Sequence, residues 1–502
     1  MVYSGSFNPV IHDGWRGLNT NYGNGNPDDP GVASPMYWSM SPQWQPVADV
    51  LSGTIGMRSL AGKYLPRLCN ESDECWQSRI NRSSLTPLFQ RVVKAAVGLI
   101  LRKPIYLDGG DEAYWEEWRQ NVDRQESNLD EFMGNILYQA IAYGHCGFLT
   151  DFPPSDARTL RDEAEMAAKP YFIPQPAFNI LGWRHDPAEA KGEITQVRLR
   201  EQTTEPDGEF GTKVCRRVRV IEAGQYRIFK EKDLGSAIYE LEDTGTYSLN
   251  EIPLSVVYSQ REAVLMSRPP LLELAHLNIQ HFTLEASLLN ALHVSAFPLL
   301  TLKGWDDESN TLQNLTVGNA LALPIDGDAE YVEPASSSFD AIQAELTSLS
   351  EHIGTLGISI LAKQKNVQES GFSKQMDRAD SNSMLAQISL NAERALQQAL
   401  NWAAQYAGVQ PPTVVIDRDF NADPLRGGDI TPLTALYTNG VINQETLLKI
   451  LQRGEILDDS ADLDDILNAT EMEQAGALER EVETAQAMAD LEVARPERDD
   501  DE

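Results

Sequence analysis

Cysteine is scarce, with four in 502 residues. Cys69 and Cys75 lie close together and Cys146 and Cys215 stand alone, so neither a disulfide framework nor zinc-ribbon spacing is present. Long apolar runs are missing as well. The longest, Ala95 to Leu101, is far too short to span a bilayer. The N-terminus lacks the basic-then-apolar pattern of a secretion signal. These absences predict a soluble intracellular product with reduced thiols and no membrane partner. Cations are also few: 41 Lys and Arg face 75 Asp and Glu, a net charge of −34. That balance excludes a surface that grips nucleic acid throughout, and fits one that lets a polyanion pass without sticking.

The motifs of common chemistries are equally absent. Gly62-Lys63 is followed by Tyr64 and has no upstream glycine, so no Walker phosphate loop forms. Gly23 and Gly25 follow no strand pattern, which removes a dinucleotide fingerprint. Neither a Gly-x-Ser-x-Gly elbow nor a His-Glu-x-x-His pair occurs, and His276 and His281 fall on different faces of one helical stretch. Asp326-Gly-Asp328 and Asp458–Asp462 lack the glycine and glutamate that a calcium loop needs in register. The reading is a non-enzyme without cofactor or metal.

What is present centres on two helical stretches. After Pro269-Pro270, the residues Leu272, Ala275, Ile279, Phe282, Ala286 and Leu289 recur at spacings of three and four. After Ser337-Ser338, the residues Phe339, Ile342, Leu346, Leu349, Ile353, Leu356 and Ile360 keep a heptad. Neither stretch contains Lys or Arg, whereas Lys363, Lys365 and Lys374 crowd into the segment that follows. Two core helices of an α-rich domain would show the same stripes. Their length, the strand-bearing insert between them and the basic loop after them point to more.

Along the rest of the chain, residues 1–59 are rich in Gly, Asn, Pro and Ser with scattered aromatics (Trp15, Tyr37, Trp38, Trp44), and read as an extended arm. Order is expected from Leu60. Thr86-Pro87 is placed to cap a helix carrying Phe89, Val92, Val93, Ala96, Val97 and Ile100. Leu129, Phe132, Ile136 and Ala140 mark a second helix that breaks at Gly144. A strand follows at Cys146–Asp151, and period-two segments fill Tyr171–Ser259. A long Ala- and Leu-rich helix runs to Gly408, then a strand at Thr413–Ile416, short helices and an acidic tail.

Tyr64-Leu-Pro-Arg67, the Phe89–Lys103 helix ending Leu-Arg-Lys-Pro, Gly144–Pro153, Asn179-Ile-Leu-Gly-Trp183 and Pro269–Asn278 together resemble, in order and spacing, the portal proteins of tailed bacteriophages. The resemblance covers roughly residues 60 to 456. It implies an α+β ring subunit: α/β wing (60–267), stem helix (268–294), β-containing clip (295–336), second stem helix (337–362), tunnel loop (363–376), long wing helix and strand (377–420), and helical crown with acidic tail (421–502). It further implies a homo-oligomeric ring of about twelve copies at a capsid vertex of the virion, assembled in the host cytoplasm. Implied partners are double-stranded viral DNA, the terminase large subunit, a head-completion adaptor, the major capsid protein and a scaffold.

On that reading Lys363, Gln364, Lys365, Asn366, Gln368 and Lys374 contact DNA from the tunnel loop. Leu272, Ile279, Phe282, Leu289, Phe339, Ile342, Leu346, Leu349, Ile353 and Leu356 form the subunit interface of the stem. Trp305, Leu315 and Val317 form a partner surface on the clip. The alternative is an oligomeric virion adaptor or scaffold without a DNA channel.

Overall fold

The computed structural model describes residues 28–153 (except 70), 169–185, 194–295, 299–303, 320–323, 331–332, 336–361, 371–418, 420, 427–438 and 442–453, with a few positions beyond. For 294–295, 299–303, 320–323, 331–332, 336–338, 358–361, 371–383, 427–432, 445, 449, 450, 452 and 453 only the backbone is described. The chain divides into two compact units, Met1–Phe420 and Asn421–Glu502.

The first unit begins with a helix where the sequence suggested an arm. Helix α1 spans Pro35–Leu51; Ser34 caps it by accepting from the Tyr37 amide at 3.3 Å, and Pro35 fits the first turn. Tyr37, Met40, Trp44, Val47 and Ala48 recur at helical spacing and are all buried. Pro42 and Pro46 inside the helix disguise this pattern, since proline normally breaks one. Trp44 also donates from Nε1 to the Tyr143 carbonyl at 3.0 Å, so this aromatic anchors within its own chain.

Further helices are α2 (Leu88–Ile100) and α3 (Leu129–Tyr143), separated by strand β1 (Tyr106–Asp108). Asn128 caps α3. The helix stops at Gly144, whose φ of 99° suits glycine, and a Cβ there would come within 2.5 Å of Ser267 Oγ and 3.0 Å of the Arg268 backbone.

Two sheets follow. Strands β2 (His145–Asp151) and β3 (Tyr171–Pro176) pair with the later β9 (Leu254–Tyr258) in the order β3-β2-β9. Between them in sequence, β4 (Ile180–His185), β5 (Ile194–Asp207), β6 (Gly211–Glu222), β7 (Gln225–Glu231) and β8 (Tyr239–Thr246) form an antiparallel meander in chain order. One face of the three-stranded sheet sends Cys146, Phe148, Phe172 and Val257 into the helical core. The other sends Leu149, Tyr171, Ile173 and Leu254 against Ile180, Val197, Leu199 and Ile221 of the meander. Both faces of β2 are thus covered, which is why it reads as a continuous apolar run. A small hairpin, β10 (Arg261–Ala263) and β11 (Met266–Ser267), leads to the long helices.

Helix α4 spans Leu272–Ser295 and α5 Ser336–Leu361, about 36 and 39 Å long at 1.5 Å per residue. Between them lie β12 (Leu299–Lys303), β13 (Ala320–Leu323) and β14 (Tyr331–Val332), with β12 parallel to β13 and antiparallel to β14. Helix α6 runs from Gly371 to Ala407 and buries Leu385, Ile388, Ala392, Leu396, Ala399 and Ala403. It starts within the segment assigned to a tunnel loop, so residues 371–376 are helical. Strand β15 (Thr413–Val415) pairs with β1. In the second unit two shorter helices follow, α7 (Gly427–Thr438) and α8 (Gln444–Arg453). No helix among the described residues is long and apolar enough to cross a membrane.

Candidate functional site

Helices α4 and α5 pack on each other as a hairpin, and the base of that hairpin is fixed to the segment leading into α2. The first turn of α2 has no cap of its own, because Pro87 occupies the cap position and has no side-chain acceptor. Asn278 of α4 supplies one from 189 residues away. Its Oδ1 accepts from the Phe89 amide at 2.9 Å and its Nδ2 donates to the Thr86 carbonyl at 3.0 Å. Two helical turns further along α4, Glu285 accepts from the Thr86 and Ser84 hydroxyls at 3.2 and 3.4 Å, and lies 3.5 Å from His281 Nδ1, one turn beyond Asn278. Asn290 accepts from Arg82 at 2.9 Å. One polar face of α4 therefore clamps the chain from Arg82 to Phe89.

Helix α5 approaches α2 just as closely. Gly357 is buried, and a Cβ at that position would lie 2.6 Å from Val92 Cγ2. Only glycine lets the end of α5 settle onto α2 without displacing it.

The exposed positions are mostly polar or acidic, although Leu292 on α4 is 47% exposed and Ala341 and Ala344 on α5 are exposed too. On α5 the polar ones are Asp340, Gln343, Glu345, Thr347, Ser348, Glu351, His352 and Thr355, and on α4 Glu273, His276, Gln280, Ser287 and His293. Neither helix contains a Lys or Arg.

The stem residues named from the sequence separate into two groups. Phe282 is fully buried, Leu346 and Leu349 are 6% exposed and Ile353 1%, all inside one chain. Leu272, Ile279, Leu289, Phe339, Ile342 and Leu356 are half-buried. The first group needs no neighbouring copy to leave water; the second group still has surface to give. Of the tunnel-loop residues, Lys363, Gln364, Lys365, Asn366 and Gln368 lie outside the described residues, and Lys374 sits in the first turns of α6. Trp305, Leu315 and Val317 on the clip also lie outside them. Sequence reasoning missed Asn278, Glu285, Asn290 and Gly357. Asn278 and Glu285 each sit one residue before a stripe position, Ile279 and Ala286, and nothing in the stripe itself marks them.

A second polar cluster lies between the two sheets. Arg219 on β6 meets Asp151 of β2 at 2.9 Å and Glu201 of β5 at 2.8 Å. One buried carboxyl, Glu201, and one half-buried, Asp151, thus share one guanidinium. Burial, reinforced by each other's charge at Glu201, raises Glu201 to about 8; burial raises Asp151 to about 6 and lowers Arg219 to about 10. Beside it Arg217 holds Glu205 at 2.8 Å and Glu242 at 2.5 Å, and Lys230 also reaches Glu205. Each of these side chains has a partner within the cluster, which ties the sheets together rather than presenting a reactive group. No group of His, Cys, Asp and Glu among the described residues could hold a metal ion.

A family model described as a domain of unknown function (DUF4055) matches residues 270–407, which span the hairpin and α6. No curated protein matches. Among solved structures, a chain in the neck of an empty GTA particle computed with C6 symmetry is 11% identical, with a TM-score of 0.39, over 80% of this chain and 98% of that one. A chain from the virion of a native gene transfer agent particle is 11% identical, with a TM-score of 0.41, over 78% and 96%. A chain in the neck of the native particle computed with C12 symmetry is 11% identical, with a TM-score of 0.37, over 73% and 89%.

Proposed function

We propose that this chain is a portal subunit: it closes into a homo-oligomeric ring of about twelve copies at one capsid vertex and lines the channel for viral DNA. The observation that carries the reading is the hairpin. Two helices of about 36 and 39 Å, clamped at one end by Asn278, Glu285 and Gly357, present open faces without a cation. Half-buried Leu272, Ile279, Leu289, Phe339, Ile342 and Leu356 offer apolar surface to a neighbouring copy.

A channel wall of this composition makes few lasting phosphate contacts, so DNA slides. Each fixed Lys or Arg contact would instead release counterions and hold the duplex in a salt-dependent way. Lys363 and Lys365, immediately after α5, and Lys374 then supply brief contacts at the constriction, repeated around the ring, with Gln364, Asn366 and Gln368 as neutral donors. The protein works without catalysing a reaction or holding a cofactor. The insert with β12–β14 is the docking tip for the terminase large subunit and later for a head-completion adaptor, with Trp305, Leu315 and Val317 as its apolar contacts. The major capsid protein and, during assembly, a scaffold are further partners of the chain.

Native mass measurement combined with negative-stain imaging tests this. A ring with an axial hole is expected. A monomer or dimer at micromolar concentration overturns the reading, and a closed cage or filament would assign the chain instead to an adaptor or scaffold without a channel.

A further inference from the structure

The turn between β9 and α4 is bound to the end of α3 and the start of β2. Ser259, directly after β9, donates from its amide and its hydroxyl to the Gly144 carbonyl at 2.9 and 2.8 Å. Ser267 on β11 places its Oγ 2.7 Å from Nδ1 of His145, the first residue of β2. Within the turn, the Leu265 amide donates to the Tyr258 hydroxyl at 2.9 Å. Leu265 is fully buried with a φ of 55°, a conformation that a residue with a Cβ holds only where its surroundings enforce it. The Arg268 amide donates to the Gln260 carbonyl at 3.3 Å, and four residues later α4 begins.

His145 is the weak point of this joint. It is 1% exposed, between the Trp44 ring of α1 at 6.3 Å and the Tyr258 ring of β9 at 6.0 Å. Its Nε2 is buried and meets no hydrogen-bond partner among the described residues. The elements around it supply no counter-charge. Tyr143 on α3 and Tyr258 are phenols that burial keeps neutral. Helix α6 contributes Asn391, which donates to the Tyr258 carbonyl at 2.9 Å. Arg261 on β10 lies over the Tyr258 ring at 5.2 Å, where its charge opposes a second cation, and Glu262 is paired with Arg268 at 3.0 Å. Asp49 on α1 is taken by Gln45, Lys63 and Tyr64. Burial alone lowers His145 to about 4.

We propose that His145 is an acid-released latch on the joint between the sheets and α4. A charged imidazole carries an N–H on both nitrogens. One can still face Ser267, but the one at Nε2 has no acceptor and the charge has no partner. The protonated ring therefore swings out, which breaks the Ser267 bond and frees the turn from Ser259 to Arg268. Because His145 holds its proton less tightly in the closed joint than an exposed histidine does, closure is complete above about pH 6.5 and is lost as pH falls towards about 4. Opening at pH 5 should exceed opening at pH 7 on the order of tenfold. Release relaxes Leu265 and lets the first turn of α4 shift, while Asn278 holds the helix further along. The latch works whether or not the chain lines a channel.

Hydrogen exchange on the full-chain assembly at pH 5 and pH 7 tests this. After correction for intrinsic exchange rates, the amides of Ser259, Leu265 and Arg268 should open on the order of tenfold more at pH 5, with those of α2 alike at both. His145→Gln keeps a hydrogen-bonding side chain for Ser267 but cannot become charged, so its turn amides should open equally at the two pH values. Ser267→Ala should open the turn further at both while keeping the dependence on pH. A pH dependence that survives in His145→Gln overturns the proposal. So does equal acceleration in α2, which would mean a general loosening. Should His145→Gln fail to fold, the parent decides: turn amides that open equally at pH 5 and pH 7 overturn the latch.

Discussion

Replacing Asn278 by Ala removes both bonds that join α4 to the start of α2. The two losses are unequal. The Thr86 carbonyl keeps a partner, since it also accepts from the Leu88 amide at 2.8 Å. The Phe89 amide keeps none, and both Phe89 and Asn278 are fully buried, so water cannot replace the lost acceptor. A buried donor left unsatisfied costs about 1–3 kcal/mol, overlapping with the roughly 1 kcal/mol lost with a typical helix cap. We therefore expect Asn278→Ala to destabilise the first unit by about 2 kcal/mol. Asn290→Ala, which loses only the bond to the half-buried Arg82, should cost about 1 kcal/mol. Urea denaturation followed by tryptophan fluorescence gives the global loss, and amide exchange at Phe89 gives the local one. A variant within about 0.5 kcal/mol of the parent, with Phe89 exchange unchanged, would refute the idea that this side chain caps α2.

The Gly357→Ala variant should lose about 1–3 kcal/mol through the clash with Val92, and Val92→Ala in the same chain should restore part of it, read by melting temperature. Because Asp151 and Glu201 hold protons in the folded chain that the unfolded chain has already released, their contribution is complete below about pH 4 and is lost as pH rises through about 6 and 8. Melting temperature should accordingly fall over that window, and Glu201→Gln should flatten the upper part of the fall. Changing Lys363, Lys365 and Lys374 together to Ala should leave ring size and melting temperature unchanged while altering DNA retention and weakening its salt dependence; unchanged retention would make these lysines bystanders. Removing residues 304–317 of the insert should leave rings intact and abolish docking of the packaging motor, read by pull-down with the terminase large subunit.

The elements legible in the sequence are those whose signal is local. The stripes of α4 and α5, the break of α3 at Gly144 and the alternation of β5 and β6 follow from periodicity and from glycine's freedom at positive φ. So does the absence of Lys and Arg from both long helices, which is composition alone. Tertiary structure decided what depends on distant partners. Pro42 and Pro46 argue against a helix until the burial of Tyr37 and Trp44 is known to outweigh two missing hydrogen bonds. A heptad shows that Leu346, Leu349 and Ile353 want to leave water, but not whether their own chain or a neighbour receives them. Asn278 looks like a polar residue at the border of an apolar stripe, and becomes a cap only because an uncapped turn 189 residues earlier is folded against it. Arg219 likewise reads as one more alternating residue of a strand. Only the stacking of two sheets, which brings Asp151 to one side of its guanidinium and Glu201 to the other, makes it the centre of a buried ionic cluster.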